Sequence, residues 1–428
     1  MSHLEIQLYL RLDGLCLRSY LNKKKEKFGF QLQIYHYLCP MIPRIASARL
    51  MELAALFKAV AVVGPRQSGK TTLVKSVFPD KPYVSLENPD IRLFASDDPR
   101  GFLKKYSEGA VLDEIQRVPH IFSYLQEILD NSNERGKYIL TGSNNFLMQE
   151  NISQSLAGRV AYLQLLPFSL EELFFENIST ETNRIIFNGF YPPPFDQKIP
   201  VTDWMPNYIR TYIERDVRQI KNINDLLVFE KFMRLLAGNA ARELNYSSLS
   251  VNVGVDIKTL QSWVGILESS FIIYLLRPHH RNFNKMIVKR PKLFFYDTGL
   301  VCSLLEITSP EHLANHPLLG QLFENMVVSE LVKFRTHRGR DVNYFYWRDK
   351  TGHEVDIIVE NADRLIPVEI KTSATFHPDF LKNLHFWMKL SGEQSGILLY
   401  NGELELTRSE GIHLMNWKNM SWLSDTSS

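Results

Sequence analysis

The sequence predicts an α/β chain in three modules, and three observations predict it. The valine-rich run AVAVVG leads through PRQSG into KTTLVKSVF, whose apolar residues recur at helical intervals, so the order is strand, glycine loop, helix. Farther on, two helical stretches, a turn at Gly254, a third helix and the apolar run FIIYLL follow in the order of a winged helix-turn-helix. Near the C-terminus a long helical stretch precedes three strand-like runs that carry Asp356, then Glu369 and Lys371.

A chain of 428 residues exceeds a single core, so two or three domains are expected. Its formal net charge of +2 argues neither for nor against nucleic acid globally, so any basic footprint must be sought locally. Cys16, Cys39 and Cys302 form neither a disulfide framework nor a CxxC metal site, and a reducing cytoplasm is the expected compartment. No run reaches the roughly eighteen apolar residues of a membrane span, so no membrane partner is expected. The first thirty residues mix charges through their apolar positions and lack a signal-peptide core. Residues 1–40 read as an accessory extension or an upstream start, with the working protein beginning near Met41.

The first module is placed at 41–200. In its loop, Gly64, Pro65, Arg66, Gln67, Ser68 and Gly69 would turn main-chain N–H groups toward the phosphates of ATP, helped by the positive end of the next helix. Lys70 would reach the β and γ phosphates, and Thr71, with Thr72 beside it, would offer a hydroxyl to Mg2+. A plain glycine turn does not explain the adjacent lysine and threonine. The strand GAVLDEIQ then ends in acid: Asp113 would bind Mg2+ through its water shell, and Glu114 would orient and deprotonate the attacking water. A third strand, KYILTGS, brings Ser143 to a polar tip suited to sensing the γ phosphate. Arg159 is read in two ways: a guanidinium for phosphoryl transfer in its own or a neighbouring subunit, or a surface arginine in a local ion pair.

The blocks GPRQSGKTTL, VSLENPDIR, DDPRGFL, VLDEIQRVPHIFSYLQ, ILTGSNNFLM, SQSLAGRVAYLQLLPFSLEEL, YIERDVRQI and FFYDTGL, in this order, resemble the prokaryotic AAA-type ATPases that carry a C-terminal restriction-endonuclease-like domain. The resemblance runs from about Met41 to the end. It implies an AAA-type P-loop NTPase sheet with ATP and Mg2+ as cofactors. By it Gly64, Gly69, Lys70 and Thr71 match the Walker A positions, Asp113 and Glu114 Walker B, and Arg159 the family's AGR arginine.

Prolines 192–194, Pro200 and Pro206 are read as a boundary, with a salt-bridged helical connector at 201–225. The winged-helix module is placed at 226–305, and Lys258, Thr259, Gln261 and Ser262 are the exposed positions of its recognition helix. After it, RPHHRNFNKMIVKRPK holds Arg277, Arg281, Lys285, Lys289, Arg290 and Lys292 without an acid. This is either a wing lying along a DNA phosphate backbone, a protein contact or a plain hairpin.

The last module is placed at 306–428. Its helix GQLFENMVVSELVKF turns Leu322, Phe323, Met326, Val327 and Leu331 inward and leaves Glu324 on a neighbouring face. Glu369 and Lys371, two apart, share a strand face, and Asp356 on the adjoining strand can meet them. Asp356 and Glu369 are candidate Mg2+ ligands and Lys371 a stabiliser of phosphate charge; with Glu324 the set resembles the PD-(D/E)xK nucleases. The alternative is a sheet edge with polar residues facing out. The expected function is a Mg2+-dependent ATPase acting on or with DNA. Its rival is a nucleotide-operated sensor or scaffold whose last module binds protein or DNA without cutting, and a second copy of the chain is a further candidate partner.

Overall fold

The computed structural model describes residues 42–143, 156–174, 181–212, 225–279, 288–362 and 364–420. The extension at 1–40, connector positions 213–224, the helix read near Asn151, and Arg281 and Lys285 of the basic run lie outside the described residues. From Ile45 onward the chain forms one unit holding three sheets.

The first sheet consists of β1 (Ala59–Val63), β2 (Tyr83–Ser85), β3 (Ala110–Asp113), β4 (Tyr138–Gly142) and β5 (Val160–Gln164). The order is β2-β3-β4-β1-β5, with every neighbouring pair parallel. Interior parallel strands are covered on both faces and need apolar side chains throughout; β1, β3 and β4 are buried along their whole length. Leu50 and Leu53 of the helix Ala46–Leu56, and Leu73 and Val74 of the helix Lys70–Val77, pack on Val60, Val62, Ile139 and Leu163. The register sets Val63 opposite Gly142 and Ser85 opposite Asp113, so the carboxyl ends of the strands fall along one edge. Ligand sites of open parallel sheets gather at that edge.

The prolines read as a break instead take part in helices. Pro192 to Pro194 open the helix Pro192–Asp196, where the missing N–H is not needed. Pro206 lies inside the helix Val201–Tyr212. Tyr191 and Tyr208 join these segments, with rings 4.8 Å apart and hydroxyls hydrogen-bonded at 3.0 Å.

The middle stretch runs through the helix Leu226–Ala237, β6 (Arg242–Glu243), the helices Tyr246–Val253 and Ile257–Ser269, β7 (Ile273–Leu276) and β8 (Lys292–Phe295). β8 lies between β6 and β7 and is antiparallel to both. Gly254, at φ 91°, ends one helix in the left-handed region. Asp256 starts the next by accepting the Thr259 N–H at 3.0 Å. Phe229 and Phe232 meet Trp263 at 5.1 and 5.3 Å to form the core.

The last sheet contains β9 (Tyr344–Arg348), β10 (Glu354–Asn361), β11 (Arg364–Lys371), β12 (Gly396–Tyr400), β13 (Leu406–Thr407) and β14 (Ile412–Asn416). Its order is β13-β14-β12-β11-β10-β9. β9, β10 and β11 are antiparallel, whereas β12 runs parallel to β11 after the helix Lys382–Ser391. The residues after β7 continue into this sheet: the His279 N–H donates to the Tyr346 carbonyl at 2.7 Å, and the Tyr346 N–H donates to the Arg277 carbonyl at 3.1 Å.

Between the sheets lies the helix Leu319–His337, buried at every position from Asn325 to His337. Its Asn325 amide accepts the Phe295 N–H and donates to the Phe295 carbonyl, both at 2.8 Å, closing the backbone of β8 where β6 no longer pairs with it. Asn325→Leu leaves both backbone groups buried without partners. It is expected to cost about 2 to 4 kcal/mol, measured as a lower urea midpoint with unchanged far-UV circular dichroism before the transition.

Candidate functional site

The phosphate-type loop stands at the carboxyl edge of the first sheet, between β1 and the helix Lys70–Val77. Gly69 caps that helix at φ 90°, and a Cβ on Gly64 would stand 2.0 Å from the Leu165 carbonyl oxygen, so glycine is required at both positions. Gln67 also holds a left-handed conformation, at φ 59°. Pro65, Ser68 and Lys70 are buried, Arg66 is half-buried, and Gln67 and Thr72 face solvent. Lys70 Nζ donates to the carbonyls of Gly64 and Pro65 at 2.9 and 2.7 Å, curling over the loop. Arg66 approaches Glu87 at 4.0 Å, and Arg117 donates to the same carboxylate at 3.4 Å.

Asp113 ends β3 directly beside this loop. The Thr71 hydroxyl stands 3.5 Å from its Oδ1, Thr141 also donates to Oδ1, and the Tyr83 phenol donates to Oδ2 at 2.5 Å. Burial, and then the bond to Asp113, push the Tyr83 pKa up, so the phenol remains a donor. Glu114 follows in a left-handed conformation, φ 55°, which turns its side chain back along the sheet edge. Its Oε2 accepts from Gln116 Nε2 at 2.6 Å and from Ser143 at 3.0 Å. Ser143 thus binds the Glu114 carboxylate. The glycine cradle and the pairing of a hydroxyl with a carboxylate, both hard oxygen donors, fit a polyphosphate and Mg2+.

Arg159 lies elsewhere. β5 is five residues long, at roughly 3.3 Å each, and Arg159 precedes its first residue. The loop follows the last residue of the parallel neighbour β1, so in its own chain Arg159 is at the opposite edge of the sheet. There it forms a surface ion pair with Asp130, Nε to Oδ1 at 2.5 Å. The local ion-pair reading holds, and a role at its own chain's loop does not. Tyr83 and Gln116 were not anticipated: Tyr83 lies on another strand, 30 positions from Asp113. Thr141, read with Ser143 as part of a polar strand tip, donates to Asp113. Gln116 stands in the DEIQ block itself, two residues after the glutamate it holds.

The second cluster surrounds the start of β10. Ile357 pairs with Val368, and one step beyond stand Asp356 and Glu369. Asp356 Oδ2 accepts the Ile370 N–H at 2.9 Å, while Glu369 Oε1 accepts from Lys371 at 2.6 Å and from Asn383 at 3.4 Å. Glu324 does not close on this pair directly. Lys292, 3 % exposed, comes between: its ammonium lies 3.0 Å from Glu324 Oε1, bonds Glu354 Oε1 and stands 3.8 Å from Asp356 Oδ1. Lys292 is therefore buried among acids, a correction to its place in a phosphate-contacting run. Arg277, Lys289 and Arg290 are exposed. Arg348 extends the network, pairing with Glu243 at 3.0 Å and Glu354 at 3.1 Å.

Among the described residues no group of three or more His, Cys, Asp or Glu side chains is arranged to hold a metal ion. At the expected Mg2+ pair, Asp356 Oδ2 is taken by the Ile370 N–H and Glu369 Oε1 by Lys371, and Lys292 stands as a second ammonium beside Asp356. Burial lowers the Lys292 pKa, but Glu324, Asp356 and Glu354 together hold it above the usual lysine value. Burial pushes Glu324 up to about 7 against the pull of Lys292. Burial and then the Asp356 charge push Glu369 up to about 8, and its Oε2 is buried without a hydrogen-bond partner. The Asp356 and Glu369 charges outweigh burial at Lys371 and raise its pKa.

Residues 56–174 match a family model described as an AAA domain. Residues 179–311 and 319–420 match two models described as domains of unknown function, DUF8612 and DUF4143. An uncharacterized protein of Mycobacterium tuberculosis is 29% identical over 343 residues, covering 79% of this chain and 76% of its own. One of Methanocaldococcus jannaschii is 22% identical over 336 residues, covering 71% and 72%. Among solved structures, a Walker-type ATPase of Pyrococcus abyssi is similar with a TM-score of 0.42 and 13% identity, over 60% of this chain and 94% of that one. AMPPCP-bound DnaA from Aquifex aeolicus is similar with a TM-score of 0.28 and 12% identity, over 52% and 86%. The parallel sheet, its loop and the AAA match define the first module as an AAA-type P-loop ATPase domain. No helix among the described residues is long and apolar enough to cross a membrane.

Glu369 keeps a proton in the folded state that its unfolded form releases between its ordinary value of 4.5 and about 8. Rising pH through that window therefore removes stability. In Glu369→Gln that loss is absent, so melting temperatures of the wild type and this variant, compared across the same window, are expected to diverge as pH rises, with the wild type falling more steeply.

Proposed function

We propose that this chain is a Mg2+-dependent ATPase that acts on DNA, with the P-loop module as its hydrolytic centre. The observation that carries the reading is the single sheet edge on which Lys70, Thr71, Asp113 and Glu114 meet. Backbone N–H groups of the Gly64–Gly69 loop, Pro65 apart, would take the phosphates, Lys70 would turn from the loop carbonyls to them, and Thr71 with Asp113 would hold the metal. Bound Mg2+ supplies charge neutralisation at the β and γ phosphates. Tyr83 and Thr141 fix Asp113 as an acceptor. Gln116 and Ser143 both bind Glu114 Oε2, which leaves Oε1 to receive the proton of a water aligned at the sheet edge.

DNA contact is assigned to the middle stretch, read as a winged helix-turn-helix. Its element order and the β6-β8-β7 hairpin support this, as do exposed Lys258 and Gln261 on the helix Ile257–Ser269 and exposed Lys289 and Arg290 ahead of β8. The last module reads as restriction-endonuclease-like from its succession of helix, three antiparallel strands, helix and parallel strand. No cleavage step is derived for it, since the acids there do not fit a metal.

Lys70→Ala is expected to weaken ATP binding about 100-fold or more, and Glu114→Gln to keep binding while lowering turnover by a similar factor. Unchanged ATP affinity in folded Lys70→Ala rejects the site. Lys258→Ala is expected to weaken duplex binding and to reduce its salt slope by about 1. A wild type that binds no duplex removes DNA from the proposal.

A further inference from the structure

We infer that Lys292 is the resident cation of the acidic pocket: its ammonium takes the place a divalent ion would need, and the last module neither binds a metal nor cuts phosphodiesters while β8 is docked. The inference rests on the pocket and is independent of ATP hydrolysis.

The oxygens account for themselves one by one. Glu324 Oε1 and Glu354 Oε1 bind the ammonium, Glu354 Oε2 binds Arg348, Asp356 Oδ2 binds the Ile370 N–H, and Glu369 Oε1 binds Lys371. Asp356 Oδ1 faces the ammonium at 3.8 Å, which leaves Glu324 Oε2 and Glu369 Oε2, the latter buried with no hydrogen-bond partner. A Mg2+ ion demands oxygens at about 2.0 to 2.1 Å in near-octahedral array. An ion reaching Glu324, Glu354 and Asp356 together would overlap the volume of the Lys292 ammonium and face its positive charge. Removing the lysine would leave buried acids uncompensated, the arrangement that proteins tolerate least.

The cation comes from another sheet. Lys292 is the first residue of β8, and its ladder partner on β6 is Glu243, which reaches Arg348 of β9. Two neighbouring residues of the middle sheet thus place one charge of each sign into the last module. A metal can enter only if β8 withdraws.

The test is a titration of nucleotide-free full-length protein with Mn2+, free ion being read by electron paramagnetic resonance. Wild type and Asp356→Asn are expected to bind the same number of Mn2+ ions. Lys292→Met is expected to gain one ion per chain, and Lys292→Met combined with Asp356→Asn to lose it again. Loss of an Mn2+ from the wild type on Asp356→Asn overturns the inference, as does a folded Lys292→Met that gains none. If Lys292→Met does not fold, the comparison of wild type with Asp356→Asn decides alone. ATP turnover on the same preparations reports separately on the P-loop reading.

Discussion

A helix buried on every side gives its polar side chains no water, so each must find a partner in whatever packs around it. From Asn325 onward Leu319–His337 is such a helix, and the helix takes partners from β8 and from the segments that follow the first sheet. Glu324 takes Lys292 from β8, and Asn325 takes the backbone of Phe295. One turn on, Glu330 accepts the Leu170 N–H at 2.6 Å and Lys333 at 2.7 Å, and the Lys333 ammonium lies 3.6 Å over the Phe190 ring. Just past the helix, Arg338 pairs with both oxygens of Glu171. Burial raises the Glu330 pKa against the pull of Lys333, which marks how unfavourable the site is to an unpaired carboxylate. Such groups stabilise little when paired and cost about 3 to 5 kcal/mol when orphaned, so they act mainly by fixing where the other modules sit.

The nucleotide edge obeys the same rule over a shorter range. Asp113 has four lone-pair directions, and Thr71, Thr141 and Tyr83 occupy three of them. A carboxylate gripped this way keeps its orientation without depending on a metal. Glu114 is held on one oxygen only, by two donors of which Gln116 lies within its own loop. The carboxylate is thereby positioned from its own loop by Gln116 and from the end of β4 by Ser143.

The sheet edge was legible because its signals are local. A glycine loop between an apolar strand and a helix, and acids closing the next buried strand, are patterns of a few adjacent residues. Tyr83 was not legible, since strand order alone brings it to Asp113. Lys292 shows the limit most plainly. In sequence it closes a run of six basic residues with no acid, and a solvated or phosphate-facing side chain is the natural reading. Its strand, however, is buried at all four residues, and its acids stand 32 to 64 positions downstream. Arg159 carried two readings, and the strand geometry leaves the surface pair with Asp130 as the one its own chain makes. Asp356, Glu369 and Lys371 were brought together by strand periodicity, whereas the expectation of a metal rested on charge type and could not include a cation supplied by another sheet. The prolines at 192–194 misled because proline breaks a helix only inside it, and these stand at its start.

The docking of the middle sheet and the burial of the acidic pocket are consequently one event. Glu324, Glu354 and Asp356 sit on a helix and a strand of the last module, and none has a cation from that module within its own element. Arg348, on β9, reaches only the second oxygen of Glu354. Without β8 in place the pocket would open to water or take up protons. With β8 in place the ammonium satisfies the cluster, and Asn325, the next helix residue after Glu324, closes the same strand's backbone. A charge and an amide on consecutive helix residues therefore read the position of β8 twice, once through its first side chain and once through its last peptide groups.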